Sequence, residues 1–263
     1  IKDIKKENIT GPNGELVQIE IFAHGALCVA ISGKCYMSLA TRNASANRGA
    51  CNQTCRHAYR VTDEETGEEL VIDNKYIMSP KDLCTIGFLD QILDAGVSVL
   101  KLEGRGRSPD YVHTVTKCYR EAVEAVKNGT YTEAKIAQWI KELESVYNRG
   151  LWQGGYYLGK ELGEWSGAYG SKATKENEYI GSITNYFRKN GIAELTIETG
   201  EIKLGDELLI TGETTGVLKL KLESMVLDEK QVQTAKKGDI VTFFAPEKVR
   251  KSDKLFVVKD RKL

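Results

Sequence analysis

Four cysteines, Cys28, Cys35, Cys51 and Cys55, fall within one Gly-, Asn- and Arg-rich stretch of this chain, "HGALCVAISGKCYMSLATRNASANRGACNQTCR". Thiols gathered so densely are more often metal or cluster ligands than packing residues. Their spacing is C-x6-C, fifteen residues, then C-x3-C. A tetrahedral zinc site usually draws on tight C-x2-C pairs, and only the last pair approaches that. An iron–sulfur cluster is larger and tolerates wider spacing, with loop glycines letting backbone N–H groups reach the sulfurs. Spacing therefore leaves a cluster, a zinc ion and unligated thiols all open. Cys84 is expected in the first turns of a helix, where the dipole lowers a thiol pKa, which makes it an alternative fourth ligand. Cys118 reads as a core residue, His57 as a spare ligand and His113 as structural or exposed.

A second group of reactive side chains sits at strand ends. In "LVQIEIFAH" alternation puts Gln18, Glu20, Phe22 and His24 on one face, opposite Ile19, Ile21 and Ala23. In "VSVLKLEG" it groups Val99, Lys101 and Glu103. Charged residues at the C-terminal ends of parallel strands line active-site mouths; the competing reading is a buried ion pair between Lys101 and a carboxylate. Downstream, "GRGRSP" sets Arg105 and Arg107 before a helix N-terminus, suited to clamping a carboxylate or phosphate, or else to facing solvent. Neither H-E-x-x-H nor G-x-S-x-G occurs, which disfavours a zinc or serine protease.

The elements positioning these groups begin as an alternation of strand and helix. The strand ending at His24 is followed by a short strand at "YIM", then by a helix with Ser79 as N-cap and Pro80 at its first position. Leu83, Ile86, Leu89 and Leu93 form its stripe and Gly96 its stop. After "VSVLKLEG" comes a helix capped by Ser108, with a core face of Val112, Val115, Tyr119, Ala122, Val123 and Val126. A third helix runs from Thr132 to about Arg149 and buries Ile136, Trp139, Ile140, Leu143, Val146 and Tyr147. Such βαβα order implies a parallel sheet or barrel. The polar "SKATKENE" reads as a linker and places a boundary near Lys172, giving domains 1–172 and 173–263. Beyond it, short β segments separated by Gly-Asp and Thr-Gly turns predict a small antiparallel β-barrel.

Lys plus Arg equals Asp plus Glu at 37 each, so the chain as a whole has no bias toward nucleic acid. The run Lys248–Lys262 is locally basic and reads as a solvated tail or a docking patch. No apolar run suits a membrane span, and the charged "IKDIKKENIT" is unlike a signal peptide. A cytoplasmic, reducing setting follows as the expectation, with six cysteines free, catalytic or metal-bound.

The motifs E-x-F-x-H-G-A-L-C and S-G-K-C-x-x-S, followed by "ANRGACNQTCR", "YIMSPKDL" and "KLEGRGRSPDYV", resemble the signature of peptidase family U32 over most of residues 16–126. The resemblance implies an α/β catalytic domain of (βα)8 type, of which this chain supplies only part, with about 150 residues missing before it. It also implies an all-β C-terminal barrel similar to domain 2 of elongation factors. Exposed sheet edges would then call for homo-oligomerisation, a partner chain or the missing segment.

Family precedents point two ways. One is collagenase-like peptidase activity on peptide substrates, with structural or catalytic zinc; in one such precedent His24 and Cys28 would match zinc ligands shared between subunits. The other is oxygen-independent hydroxylation of transfer or ribosomal RNA with a 4Fe-4S cluster, for which Cys28, Cys35, Cys51 and Cys55 are the matching positions and Cys84 the stand-in for Cys55. In that scheme Arg105 and Arg107 would bind a small carboxylate co-substrate, and Glu20, His24, Lys101 and Glu103 would be catalytic. The appended barrel and basic tail would dock RNA. A non-enzymatic RNA- or protein-interaction module is the third expectation.

Overall fold

A computed structural model describes residues 1–30, 33–69, 78–153, 164–167 and 170–261, the side chain of Asn47 excepted. Tyr76 and Ile77 of the expected strand at "YIM" lie outside them, and Met78 is in a turn. The chain divides into two compact units, residues 1–106 with 114–172, and residues 107–113 with 173–263.

The first unit holds α1 (Lys2–Lys6), β1 (Glu20–Ala26), α2 (Tyr36–Arg42), β2 (Asp82–Cys84), α3 (Leu89–Asp94), β3 (Val99–Leu102), most of α4 (Pro109–Lys127), α5 (Glu133–Ser145) and β4 (Leu151–Trp152). Its sheet has the order β3-β1-β2-β4. β1 runs parallel to β3, and β2 parallel to β4, but β1 and β2 are antiparallel. The parallel α/β character is present, in a mixed sheet rather than a run of barrel strands.

The departure arises at Ser79. Its hydroxyl accepts from Arg56 Nη1 at 2.9 Å and lies 3.2 Å from Ser166 Oγ, so it is not available to cap a helix. Pro80 instead bridges to Trp165, and Asp82–Cys84 form a buried strand where helix was expected. The helical pattern begins only at Leu89, after a 3-10 turn over Ile86–Phe88.

The other two helices follow their stripes more closely. α4 buries Tyr111, Val115, Cys118, Tyr119, Ala122 and Ala125, a face rotated away from Val112, which is exposed. In α5 the Thr132 hydroxyl accepts from the Lys135 N–H at 3.4 Å, while Ile136, Trp139 and Leu143 are buried. The helix ends at Ser145 instead of continuing to Arg149, because Asn148 and Arg149 turn inward and are buried.

The second unit is antiparallel. It comprises β5 (Lys175–Phe187), β6 (Ile192–Ile197), β7 (Glu201–Lys203), β8 (Glu207–Gly212), β9 (Gly216–Lys221), β10 (Val226–Leu227), β11 (Lys230–Gln231), β12 (Thr234–Lys236), β13 (Ile240–Phe244) and β14 (Lys254–Asp260). Eight strands pair in the order β11-β10-β13-β6-β5-β14-β8-β9, and β7 pairs with β12. Among the described residues this order is open, with β9 and β11 at the edges, so the expected closed barrel is not what the pairing forms.

Two expectations are corrected here. Part of the presumed linker, Lys175–Glu178, belongs to β5. The presumed basic tail supplies β14, which pairs with both β5 and β8. Leu255 and Val257 face the core while Lys254 lies on the other, exposed face, because strand periodicity separates alternate positions; Lys259 has the parity of the core positions but is exposed near the end of the strand. Alternating burial along β6 and β13 adds Ala193, Leu195, Val241 and Phe243 to that core.

Candidate functional site

The cysteine stretch folds with little regular structure. Cys28 follows β1, Cys35 is the N-cap of α2, Cys51 lies in a loop, and Cys55 sits in a 3-10 turn over Thr54–Arg56. All four are free thiols. Burial raises the Cys55 pKa, the adjacent Arg56 cation opposes that shift, and the negative charges of Cys28, Cys51 and Cys35 add to it. Cys28, Cys35 and Cys51 therefore lie within electrostatic reach of Cys55. Among the described residues no three His, Cys, Asp or Glu side chains stand close enough to hold a metal ion as the chain is arranged here.

The surroundings nonetheless suit anionic sulfur. The Ala30 N–H donates to Cys28 Sγ at 3.3 Å, and the Ser38 N–H to Cys35 Sγ at 3.4 Å. Ser38, through its buried side chain first and its backbone N–H second, lowers the Cys35 pKa. This donor set, soft thiols with N–H groups aimed at sulfur, fits a cluster or a zinc ion held by Cys28, Cys35, Cys51 and Cys55.

Two arginines fasten the loop. Arg56 donates to Ser79 Oγ at 2.9 Å, to Pro80 O at 2.7 Å and, through its other nitrogen, to Leu27 O at 2.8 Å. One guanidinium thus ties the Cys55 turn to the residue preceding Cys28 and to the entry of β2. Arg149 donates its backbone N–H to Asp82 Oδ2 at 3.0 Å, lies 3.4 Å from Asp82 Oδ1, and reaches Gln53 Oε1 at 3.1 Å. Burial, then the nearby Arg149 charge, lower the Arg56 pKa. Sequence reasoning read Asp82 as a helix-capping residue and Arg149 as a helix end, and missed the buried pair they form. Arg56 had a signal in its place directly after Cys55.

Cys84 is not a low-pKa helix-start thiol. It is fully buried in β2, and burial pushes its pKa up to about 11. Around it Tyr119 Oη donates to Ala23 O at 2.8 Å, accepts from the Thr85 N–H at 3.0 Å and lies 3.5 Å from His24 Nδ1. His24 packs edge-on to the Tyr119 ring, so it belongs to a buried polar knot. Cys118 is a core residue, its pKa raised to about 12 by burial first and the Glu142 charge second.

The strand-end residues divide. β1 and β3 pair with an irregularity between Phe22 and His24, so the alternation expected along β1 breaks there: Phe22 is exposed while Ala23, His24 and Gly25 are buried. Glu20 and Lys101 meet at 3.5 Å but are 52% and 48% exposed, an ion pair in solvent rather than a buried one. Lys101 Nζ also lies 5.0 Å from the Phe22 ring centroid. Glu103 donates its N–H to His24 O at 2.9 Å. Gly25, at φ +133°, is required there because a Cβ would come within 2.4 Å of Glu103 Cβ. Arg105 is exposed in the first unit, whereas Arg107 groups with the second and lies 5.5 Å from the Tyr111 ring centroid. His57 and His113 are exposed.

A thiol-rich loop is clamped to an α/β sheet by the half-buried Arg56 and the buried Arg149. Peptidase family U32 matches residues 1–167, and the chain belongs to it. A collagenase of Porphyromonas gingivalis is 54% identical over 96% of this chain and 61% of its own length. The tRNA hydroxylation protein P1 of Bacillus subtilis is 30% identical over 74% of this chain and 47% of its own length. The chain thus spans about three fifths of the collagenase it matches. Among solved structures, the C-terminal domain of a U32 peptidase of Geobacillus thermoleovorans aligns with 30% of this chain and 91% of its own, at 18% identity and TM-score 0.29. No helix among the described residues is long and apolar enough to cross a membrane.

Proposed function

We propose that the chain is part of a collagenase-like U32 peptidase acting on collagen-type polypeptides, with the cysteine loop as its metal-binding structural centre. The observation that carries this reading is the 54% identity to a collagenase across nearly the whole chain. In the whole protein the mixed sheet would extend toward the (βα)8-type domain that the family resemblance implies. The test is to incubate the full-length protein with gelatin and a collagen-like peptide and count new amino termini. New termini that vanish when Cys28, Cys35, Cys51 and Cys55 are all replaced by Ser support the reading; no new termini from the intact protein overturn it.

A second reading is favoured by the thiol loop itself. The convergence on Cys55, the N–H donors to Cys28 and Cys35 and the half-buried Arg56 suit a four-iron four-sulfur cluster, as the resemblance to RNA hydroxylases implies. When bound, such a cluster supplies electron transfer. Arg105 and Arg107 would then hold a carboxylate co-substrate, while Glu20, His24, Lys101 and Glu103 would orient the reacting groups, and RNA would be the partner. Anaerobic purification with iron, sulfide and zinc analysis separates the readings: stoichiometric iron and sulfide favour the hydroxylase, zinc alone the peptidase.

A further inference from the structure

Beside the cysteine loop, the first unit has a cavity of about 510 Å3 lined by Thr41, Arg42, Asn52, Thr54, His57 and Tyr59. Neither functional reading uses it. Its lining carries a cation, an amide, an imidazole and three hydroxyls, and none of the six residues is acidic. Among the described residues, the side chains of Arg42 and Asn52 make no hydrogen bond or ion pair, and His57 makes only a ring contact. Three side chains with donors to spare thus open onto one space.

The wall behind them is fixed. Tyr59 Oη donates to Thr54 O at 2.8 Å, Thr41 Oγ1 donates to Met37 O at 2.6 Å, and Thr54 is buried. Gln53, next to Asn52 and held at φ +52°, is anchored by Arg149 at 3.1 Å. Two carbonyls in the last turns of α2 are occupied as well: Leu39 O accepts from the Asn43 N–H at 2.8 Å and Ser38 O from the Ala44 N–H at 3.1 Å. They do not confront the cavity as free acceptors. The rings of His57 and Tyr59 stack, 21° from parallel with centroids 6.5 Å apart, so aromatic groups border the cavity.

From this juxtaposition we infer that the cavity binds a small planar organic anion, its carboxylate or phosphate held by Arg42 and Asn52 and its ring laid against His57 and Tyr59. A guanidinium suits such an anion because it offers paired N–H groups in a plane, and flat apolar faces favour a ring. The volume lies in the range of small-molecule sites. The assignment does not depend on which metal the cysteines hold or on either proposed reaction.

The test is calorimetric titration of the full chain with benzoate, phenyl phosphate, inorganic phosphate and neutral benzamide. Benzoate or phenyl phosphate is expected to saturate below about 10 mM, with benzamide much weaker. Arg42→Gln should weaken the anions by about tenfold or more, the loss expected for a charged hydrogen bond. Tyr59→Leu should weaken the two ring-bearing anions and leave inorganic phosphate unchanged. If Arg42→Gln lowers the melting temperature, His57→Gln with metal content measured alongside serves as the second variant. Saturation by phenyl phosphate alone assigns the source to phosphates, and by benzoate alone to carboxylates. Benzamide binding as tightly as benzoate, folded variants binding anions like the wild type, or no saturation by any anion would overturn the proposal.

Discussion

The two units reach order by opposite routes. The second is held by one apolar cluster, with residues such as Ile180, Leu195, Ile210 and Leu255 completely or almost completely buried between antiparallel strands. The cysteine half of the first is held by polar ties instead: Arg56 to three oxygens, and Arg149 to Asp82 and Gln53. An apolar core tolerates small losses because many contacts share the load. A buried ion pair fails abruptly, since removing one partner leaves a charge without compensation. The region carrying the candidate chemistry is therefore the one whose geometry hangs on a few single interactions.

The largest effect should come from breaking the Asp82–Arg149 pair. Asp82→Ala strands a buried guanidinium and should cost the first unit about 3–5 kcal/mol. Trp139, Trp152 and Trp165 all lie in that unit, so tryptophan fluorescence reads its unfolding selectively. Far-UV dichroism of the β unit should then melt as in the wild type; joint loss of both signals would show that the units do not differ in this way.

Leu195→Ala is the converse. Creating a cavity in the apolar cluster should remove about 3 kcal/mol from the second unit while the tryptophan transition stays in place. The smallest effect sharpens the picture within the first unit. Thr132→Ala removes the cap of α5 and should cost about 1 kcal/mol, visible in the fluorescence midpoint. An equal loss from Thr132→Ala and Asp82→Ala would mean that the buried pair contributes no more than an exposed cap.

Legibility in the sequence follows the same division. Strand periodicity and turn residues made β6, β8, β9 and β13 readable, because a sheet with one buried face writes that face into alternate positions. β14 was obscured by its lysines, Lys254 on the outward face and Lys259 exposed near the end of the strand. The caps and stripes of α4 and α5 were equally plain, apart from Val112 and the inward turn at Arg149. The Ser79-Pro80 signal for a helix start misled because the Ser79 hydroxyl is taken by Arg56, a partner 23 residues away that no local pattern reveals. The expected alternation along β1 failed at an irregularity that depends on how β3 docks.

By itself the sequence determined which residues carry the reactive groups, the family to which they belong and the local elements, since those depend on residue type and near spacing. Only the tertiary structure decided that Cys84 and His24 are buried in a polar knot with Tyr119, that Glu20 and Lys101 pair in solvent, and that Arg56 and Arg149 clamp the cysteine loop. The reason is physical: whether a polar group is exposed, paired or pressed into a core depends on partners brought together from far along the chain, and burial sets both its pKa and the cost of losing its partner.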